Sequence, residues 1–158
     1  MDADDLALLT RLDEQVKFMN ENPDLDILET WYGAFKGKRL KYIVKAKTNH
    51  LDIIERMPIQ NEILHTASFF NKRFILEQGG CKEMVFEDYE LWLRFKHFAK
   101  FSILPKVLMF IQLRPNSLIR RNMEENRSII YNLQNRYYRN LENESGITSE
   151  TEYNSLRG

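Results

Sequence analysis

Leu6, Leu9, Leu12, Val16 and Met19 recur at helical spacing, which predicts an amphipathic helix over Leu6 to Asn20 that Asn22-Pro23 ends. The pattern then changes. From Leu25 to Phe35 the chain is apolar and aromatic, and Gly33 and Gly37 punctuate the run, so a strand followed by a turn is predicted. Lys41 to Lys47 alternates lysine with Tyr42, Val44 and Ala46, the period of a half-buried strand. A short helix is predicted over His50 to Arg56, closed by Pro58.

Ile63 to Phe70 (ILHTASFF) predicts another strand, after which Asn71 is a candidate N-cap for a helix through Leu76, stopped by Gly79 and Gly80. The next helix, Glu87 to Ala99, carries Tyr89, Leu91, Trp92, Leu93, Phe95 and Phe98 on nearly every side, which predicts burial. Phe101 to Leu113 is the most strand-like run of the second half, and Pro105 places an edge position or a break in it. A last helix is expected over Met123 to Leu141, with Ile130, Leu133, Tyr137 and Leu141 as its apolar stripe, and residues 143–158 form a polar tail. Alternating strands and helices make the class α/β or α+β. Nucleotide-binding α/β enzymes normally open with the binding strand, turn and helix, and none precedes Met1 here.

Composition narrows the function. The 158 residues are 43% hydrophobic and 29% charged, with 23 basic against 23 acidic side chains, which fits a domain with a sizeable core and gives no electrostatic case for nucleic acid as a partner. The single cysteine, Cys81, forms no intramolecular disulfide and excludes a four-cysteine zinc site. The acidic start is unlike a signal peptide, and no apolar run is of membrane-spanning length. An intracellular, cytoplasmic protein is expected.

Two acidic clusters are candidates for chemistry. Asp2, Asp4 and Asp5 stand before the first predicted helix. They read either as an N-cap, worth about 0.3–1 kcal/mol against the helix dipole, or as a divalent cation site whose shell substrate phosphates complete. Two carboxylates at about 4 Å repel by roughly 4 kcal/mol at an effective dielectric of 20, which a metal between them would relieve. Glu87-Asp88 opens the buried aromatic helix, and there the alternatives are charge in a first helical turn, with Glu90 and Arg94 as an i, i+4 pair, or a general base facing a cleft.

Three blocks in order carry a resemblance. Met1-Asp2-Ala3-Asp4-Asp5 is followed by Arg11-Leu12-Asp13-Glu14-Gln15-Val16 and Asn22-Pro23-Asp24; His65-Thr66-Ala67-Ser68-Phe69-Phe70 is followed by Gly79-Gly80; and Glu87-Asp88-Tyr89-Glu90-Leu91-Trp92-Leu93-Arg94 closes the series. From Met1 to about Arg121 the chain resembles the C-terminal part of the family 2 glycosyltransferases, inverting enzymes of the GT-A fold, starting at their D-x-D motif.

The resemblance implies a partial GT-A fold that lacks its N-terminal nucleotide-binding half, with residues 1–121 as the metal and acceptor-side part of the catalytic domain and 122–142 as a C-terminal helix. It implies Asp4 as ligand of a manganese or magnesium ion on the nucleotide diphosphate, with Asp2 on the metal or the nucleotide. Asp88 is then the base that takes the acceptor proton, with Glu87 beside it. His65 and Trp92 fall in the acceptor-side part, Trp92 and Leu91 reading as packing that fixes the helix. Gln112 and Arg114 stand where relatives often carry an arginine and then a histidine, so a third protein ligand to the metal is not implied, while Arg114 can pair with phosphate. Cys81 replaces a common aromatic and is no evidence of thiol chemistry.

The partners implied are a nucleotide-diphospho-sugar donor and a saccharide or glycolipid acceptor, at the cytoplasm or the inner face of a membrane. Without the nucleotide-binding half, the chain alone is expected to bind sugar nucleotides weakly, and its exposed sheet surface is expected to drive homo-oligomerisation. The competing reading is a non-catalytic interaction module or a degenerate remnant of such an enzyme, with Tyr131, Tyr137 and Tyr138 on the final helix as contacts. A phosphatase-like carboxylate site has no support beyond the acidic opening.

Overall fold

Hydrogen bonding along two apolar runs, β2 (Ile27–Lys36) and β5 (Phe101–Gln112), makes the parallel centre of the sheet, from Ile27 beside Phe101 to Phe35 beside Gln112. The computed structural model describes residues 3–114 and 123–145, with side chains of the last helix described for 124–137. A two-residue strand β1 (Leu6–Ala7) pairs antiparallel with β5, and β3 (Arg39–Val44) pairs antiparallel with β2, giving the order β1-β5-β2-β3. Strand β4 (Phe69–Phe70) adds to the start of β2. The result is a mixed α/β fold with both parallel and antiparallel pairing.

Alternation along β2 and β5 sends Ile27, Phe101 and Ile103 to one face and Leu28, Leu104 and Leu108 to the other. The first face is covered by α2 (His50–Arg56), α4 (Glu87–Phe95) and α5 (Met123–Ser145), with Ile53, Trp92, Phe95 and Leu133 in one core. The second receives Phe18 and Met19 of α1 (Arg11–Glu21). Each such large side chain removed from water contributes about 1.5–3 kcal/mol. The short helix α3 (Lys72–Glu77) starts on Asn71, whose side chain accepts from the amides of Arg73 and Phe74, and α2 starts on Asn49, which accepts from Asp52 N at 2.9 Å.

Several expectations need correction. Leu6 belongs to a strand and the first helix begins at Arg11; its expected apolar face is the wet one, with Leu9, Leu12 and Val16 at 101%, 62% and 43% exposure. Arg11 and Gln15 are buried instead, because they find buried carbonyl partners described below. The strand expected over Lys41 to Lys47 is β3, exposed along nearly its whole length because no layer covers it. Only Phe69 and Phe70 of the run from Ile63 are strand, and His65–Ala67 form a 3-10 turn. Helix α4 stops at Phe95 rather than Ala99. At Pro105 the expected break falls in the ladder, not in the strand: the register jumps from Thr30–Leu104 to Trp31–Val107, so a bulge takes Pro105 and Lys106 out of the pairing with β2 while β5 runs on. Helix α5 continues to Ser145, into the segment expected to be a polar tail; the tail beyond it lies outside the described residues.

Candidate functional site

The acidic opening docks on the end of β5. Asp5 Oδ1 accepts the amide of Gln112 at 3.2 Å, and Arg114 Nε lies 2.6 Å from Asp4 Oδ2. The N-cap reading therefore fails, since α1 starts after Thr10 with no side-chain cap. Asp2 lies outside the described residues. Asp4 and Arg114, expected on the same ligand, are in contact.

Behind them, α1 turns a polar stripe inward. Arg11 donates from Nε to Gln15 Oε1 at 3.0 Å and from an Nη to Thr66 O at 3.0 Å, while Gln15 Nε2 donates to Ala67 O at 3.2 Å. Burial lowers the Arg11 pKa, and the charge of Asp5 opposes that shift. Helix α1 thus holds the turn that carries His65, and a chain of interactions runs from the acidic opening through Arg11 and Thr66 to that turn.

The acidic pair of α4 lies at the far end of this chain. Phe86, with φ 62°, is a left-handed residue without glycine's freedom, and it places Glu87 and Asp88 at the abrupt start of α4. Asp88 Oδ1 accepts Tyr89 N at 2.7 Å and Oδ2 accepts Asn61 Nδ2 at 3.3 Å. Burial is the chief cause that raises the Asp88 pKa; the Tyr89 amide opposes it, Glu87 adds to it, and His65 and Asn61 oppose it. A carboxylate moved this way binds a proton more tightly, as a general base near neutral pH requires. His65 packs edge-on against Trp92 at 6.2 Å. Trp92 is wholly buried and donates to Ile63 O at 3.1 Å, so it fixes the segment before His65.

Arg94 explains why this block needs its arginine. It contacts Glu90 at 3.3 Å and donates to Gln78 O and Gly80 O, each at 2.6 Å, tying the glycine turn to α4. Glu90, 7% exposed, also pairs with Lys82. Burial pushes its pKa up, but the hydrogen bonds from Lys82 and Arg94 outweigh that and hold it below the usual glutamate range.

A cavity of 570 Å³ is walled by Tyr32, Lys45, Lys47, Arg56, Glu62 and Asn61, the hydrogen-bond partner of Asp88, among others. Sequence reading missed Asn61, which both lines this cavity and bonds Asp88. It also missed Glu29, 1% exposed, whose Oε2 has no hydrogen-bond partner. Burial raises the Glu29 pKa well above its ordinary value, the Leu64 amide opposes this, and nearby Glu62 adds to it. Its signal was an acid amid the apolar run ILETWY. Burial, Glu29, Tyr42 and Glu62 push the neighbouring Tyr32 up to about 12.

Among the described residues no group of three or more His, Cys, Asp or Glu side chains could hold a metal ion. A magnesium-type ion takes one or two protein carboxylates with phosphate oxygens and water, and of the expected ligands only Asp4 is among the described residues. Asp4 supplies one such carboxylate, partly exposed and already balanced by a cation. No described helix is long and apolar enough to cross a membrane.

No family model matches the chain. It is similar to the O-antigen biosynthesis glycosyltransferase WbnJ of Escherichia coli, 39% identical over 100 residues that make 60% of this chain and 37% of that protein. A UDP-Gal:alpha-D-GlcNAc-diphosphoundecaprenol beta-1,3-galactosyltransferase of Escherichia coli is 32% identical over 95 residues, 59% of this chain and 34% of its own. An uncharacterized glycosyltransferase of Methanocaldococcus jannaschii is 29% identical over 123 residues, 69% of this chain and 39% of its own. The chain therefore spans well under half the length of the curated relatives it matches, and over that stretch its similarity is to glycosyltransferases.

Proposed function

We propose that this chain carries the acceptor-side and metal-side residues of an inverting glycosyltransferase of family 2, on part of a GT-A fold. The observation that carries the reading is Asp88, a partly buried acid with raised proton affinity whose hydrogen-bond partner Asn61 lines a 570 Å³ cavity. In this reading Asp88 Oδ takes the proton of the acceptor hydroxyl as the hydroxyl oxygen attacks the anomeric carbon. The bond to the nucleoside diphosphate breaks on the opposite face, and the carbon inverts. Glu87 raises the proton affinity of Asp88, and Asn61 orients it. Arg114 turns from Asp4 to a donor phosphate. Asp4, with Asp2, would hold a divalent cation, whose Lewis acidity would stabilise the charge of the leaving diphosphate.

The acceptor is a saccharide on a lipid diphosphate, the kind of acceptor named for one relative, and Lys45, Lys47 and Arg56 give the cavity cationic walls for such a group. Titration calorimetry with manganese and a panel of nucleoside diphosphates tests the reading. Saturable, manganese-dependent heat that Asp4→Asn removes supports it; a flat trace from folded protein favours the interaction module, to which the exposed face of α1, with Leu12 and Val16, is suited.

A further inference from the structure

Charge in this chain is balanced overall and unbalanced locally. Between Glu29 and Asp52 there is no acidic residue, whereas Lys36, Lys38, Arg39, Lys41, Lys45 and Lys47 fall in the same stretch. All six are exposed, and none of them forms an ion pair among the described residues. They decorate the β2–β3 hairpin, which turns at Gly37, φ 61°. Interleaved with them are Leu40, Tyr42 and Ile43, exposed by 53%, 50% and 43%. Register continues the apolar surface across the sheet: Ile43 lies opposite Gly33, Gly33 opposite Phe110, and Phe110 opposite Leu6, itself 57% exposed. Directly opposed residues share a sheet face.

We infer that the β2–β3 hairpin docks on an anionic lipid surface, with Lys36, Lys38, Arg39 and Lys41 at the headgroups and Leu40 and Ile43, which share a sheet face, entering the interface. Cations next to a lipid surface and apolar side chains beside them act together there, each lysine stem lying along the apolar layer while its ammonium stays wet. Phosphates of a nucleic acid would use the cations and leave Leu40 and Ile43 in water. Pairing with the edge of a second copy is disfavoured by the register shift at Ala34–Phe35, which leaves Lys41 outside the ladder on the exposed strand. The inference deepens the lipid-linked acceptor reading and rests on it for its purpose: the root of the hairpin, Val44 to Lys47, lines the cavity that Asn61, the hydrogen-bond partner of Asp88, also lines, so an acceptor anchored in the surface is delivered toward the base.

The test is sedimentation of the full chain with vesicles of phosphatidylcholine alone and with about a third phosphatidylglycerol, at about 0.1 M and 0.5 M salt. Binding to the anionic vesicles only, weakened by salt, is expected. The triple variant Lys38→Glu, Arg39→Glu, Lys41→Glu should bind on the order of a hundredfold more weakly, and Leu40→Ser with Ile43→Ser about tenfold or more. Both variants change exposed residues, and an unchanged cooperative thermal melt reports that they fold. Absence of vesicle binding, equal binding to neutral vesicles, or equally tight binding to soluble polyglutamate overturns the inference, the last result giving the hairpin to an acidic protein. Lost vesicle binding with manganese–diphosphate binding intact overturns this inference alone, and the reverse outcome overturns only the transfer reading.

Discussion

Arg114 Nε sits 2.6 Å from Asp4 Oδ2, joining the end of β5 to the acidic opening of the chain. The pair is part-exposed, so it contributes about 0–1 kcal/mol. Its weight is functional. Whatever cation approaches Asp4 competes with this guanidinium, and a diphosphate arriving with the cation gives the guanidinium a second anion to pair with.

Arg114→Ala should therefore raise the affinity for manganese alone by up to about fivefold, the release of a pair worth up to 1 kcal/mol. It should weaken binding of manganese with diphosphate. Calorimetry with each ligand set reads both changes, and a parallel loss in the two would contradict the exchange.

Glu29 makes stability fall with pH. Its folded pKa is raised, so its contribution is complete below the ordinary glutamate range and is lost as pH rises through the folded value. Glu29→Gln keeps an acceptor for the Leu64 amide and removes the ionisation. We expect the variant to gain about 2–4 °C in Tm at pH 9 over the native chain, the shift for about 1 kcal/mol in a domain of this size, and to show little gain at pH 5. Thermal melts at the two pH values check the sign.

Arg94→Ala removes two carbonyl bonds and leaves the buried Glu90 with Lys82 alone. A loss of about 2–4 kcal/mol in denaturant midpoint analysis is expected. Arg94→Lys should recover little, because one ammonium cannot reach Glu90, Gln78 O and Gly80 O together.

Gly33 is required by contact rather than by backbone angle. A Cβ there would lie 2.5 Å from Phe110 Cδ1 and 3.0 Å from Leu40 Cδ1. Gly33→Ala should cost about 1–3 kcal/mol, and Phe110→Leu in the same chain should return part of it. Urea unfolding of the single and double variants measures the coupling.

Local signals were legible in the sequence and long-range ones were not. Asn71 announced α3 because a cap is made within three residues. The apolar spacing of Leu9, Leu12 and Val16 misled, since Arg11 and Gln15 are buried by carbonyls more than fifty residues away. Asn61 carried no sign of its role because Asp88 is 27 residues on. The acidic pair Glu87-Asp88 was legible, but the left-handed Phe86 that aims it was not, since nothing in the side chain favours that conformation.

The central claim is that Asp4 and Asp88 serve one reaction centre. Manganese broadens nuclear resonances near it, so the amide spectrum of the chain with manganese and inorganic diphosphate locates the ion relative to both acids. Signals from Asp4, Arg114, His65 and Asp88 should all be lost, and all should return in Asp4→Asn. Broadening around Asp4 and Arg114 that leaves His65 and Asp88 sharp would place the two acids in separate sites and contradict it.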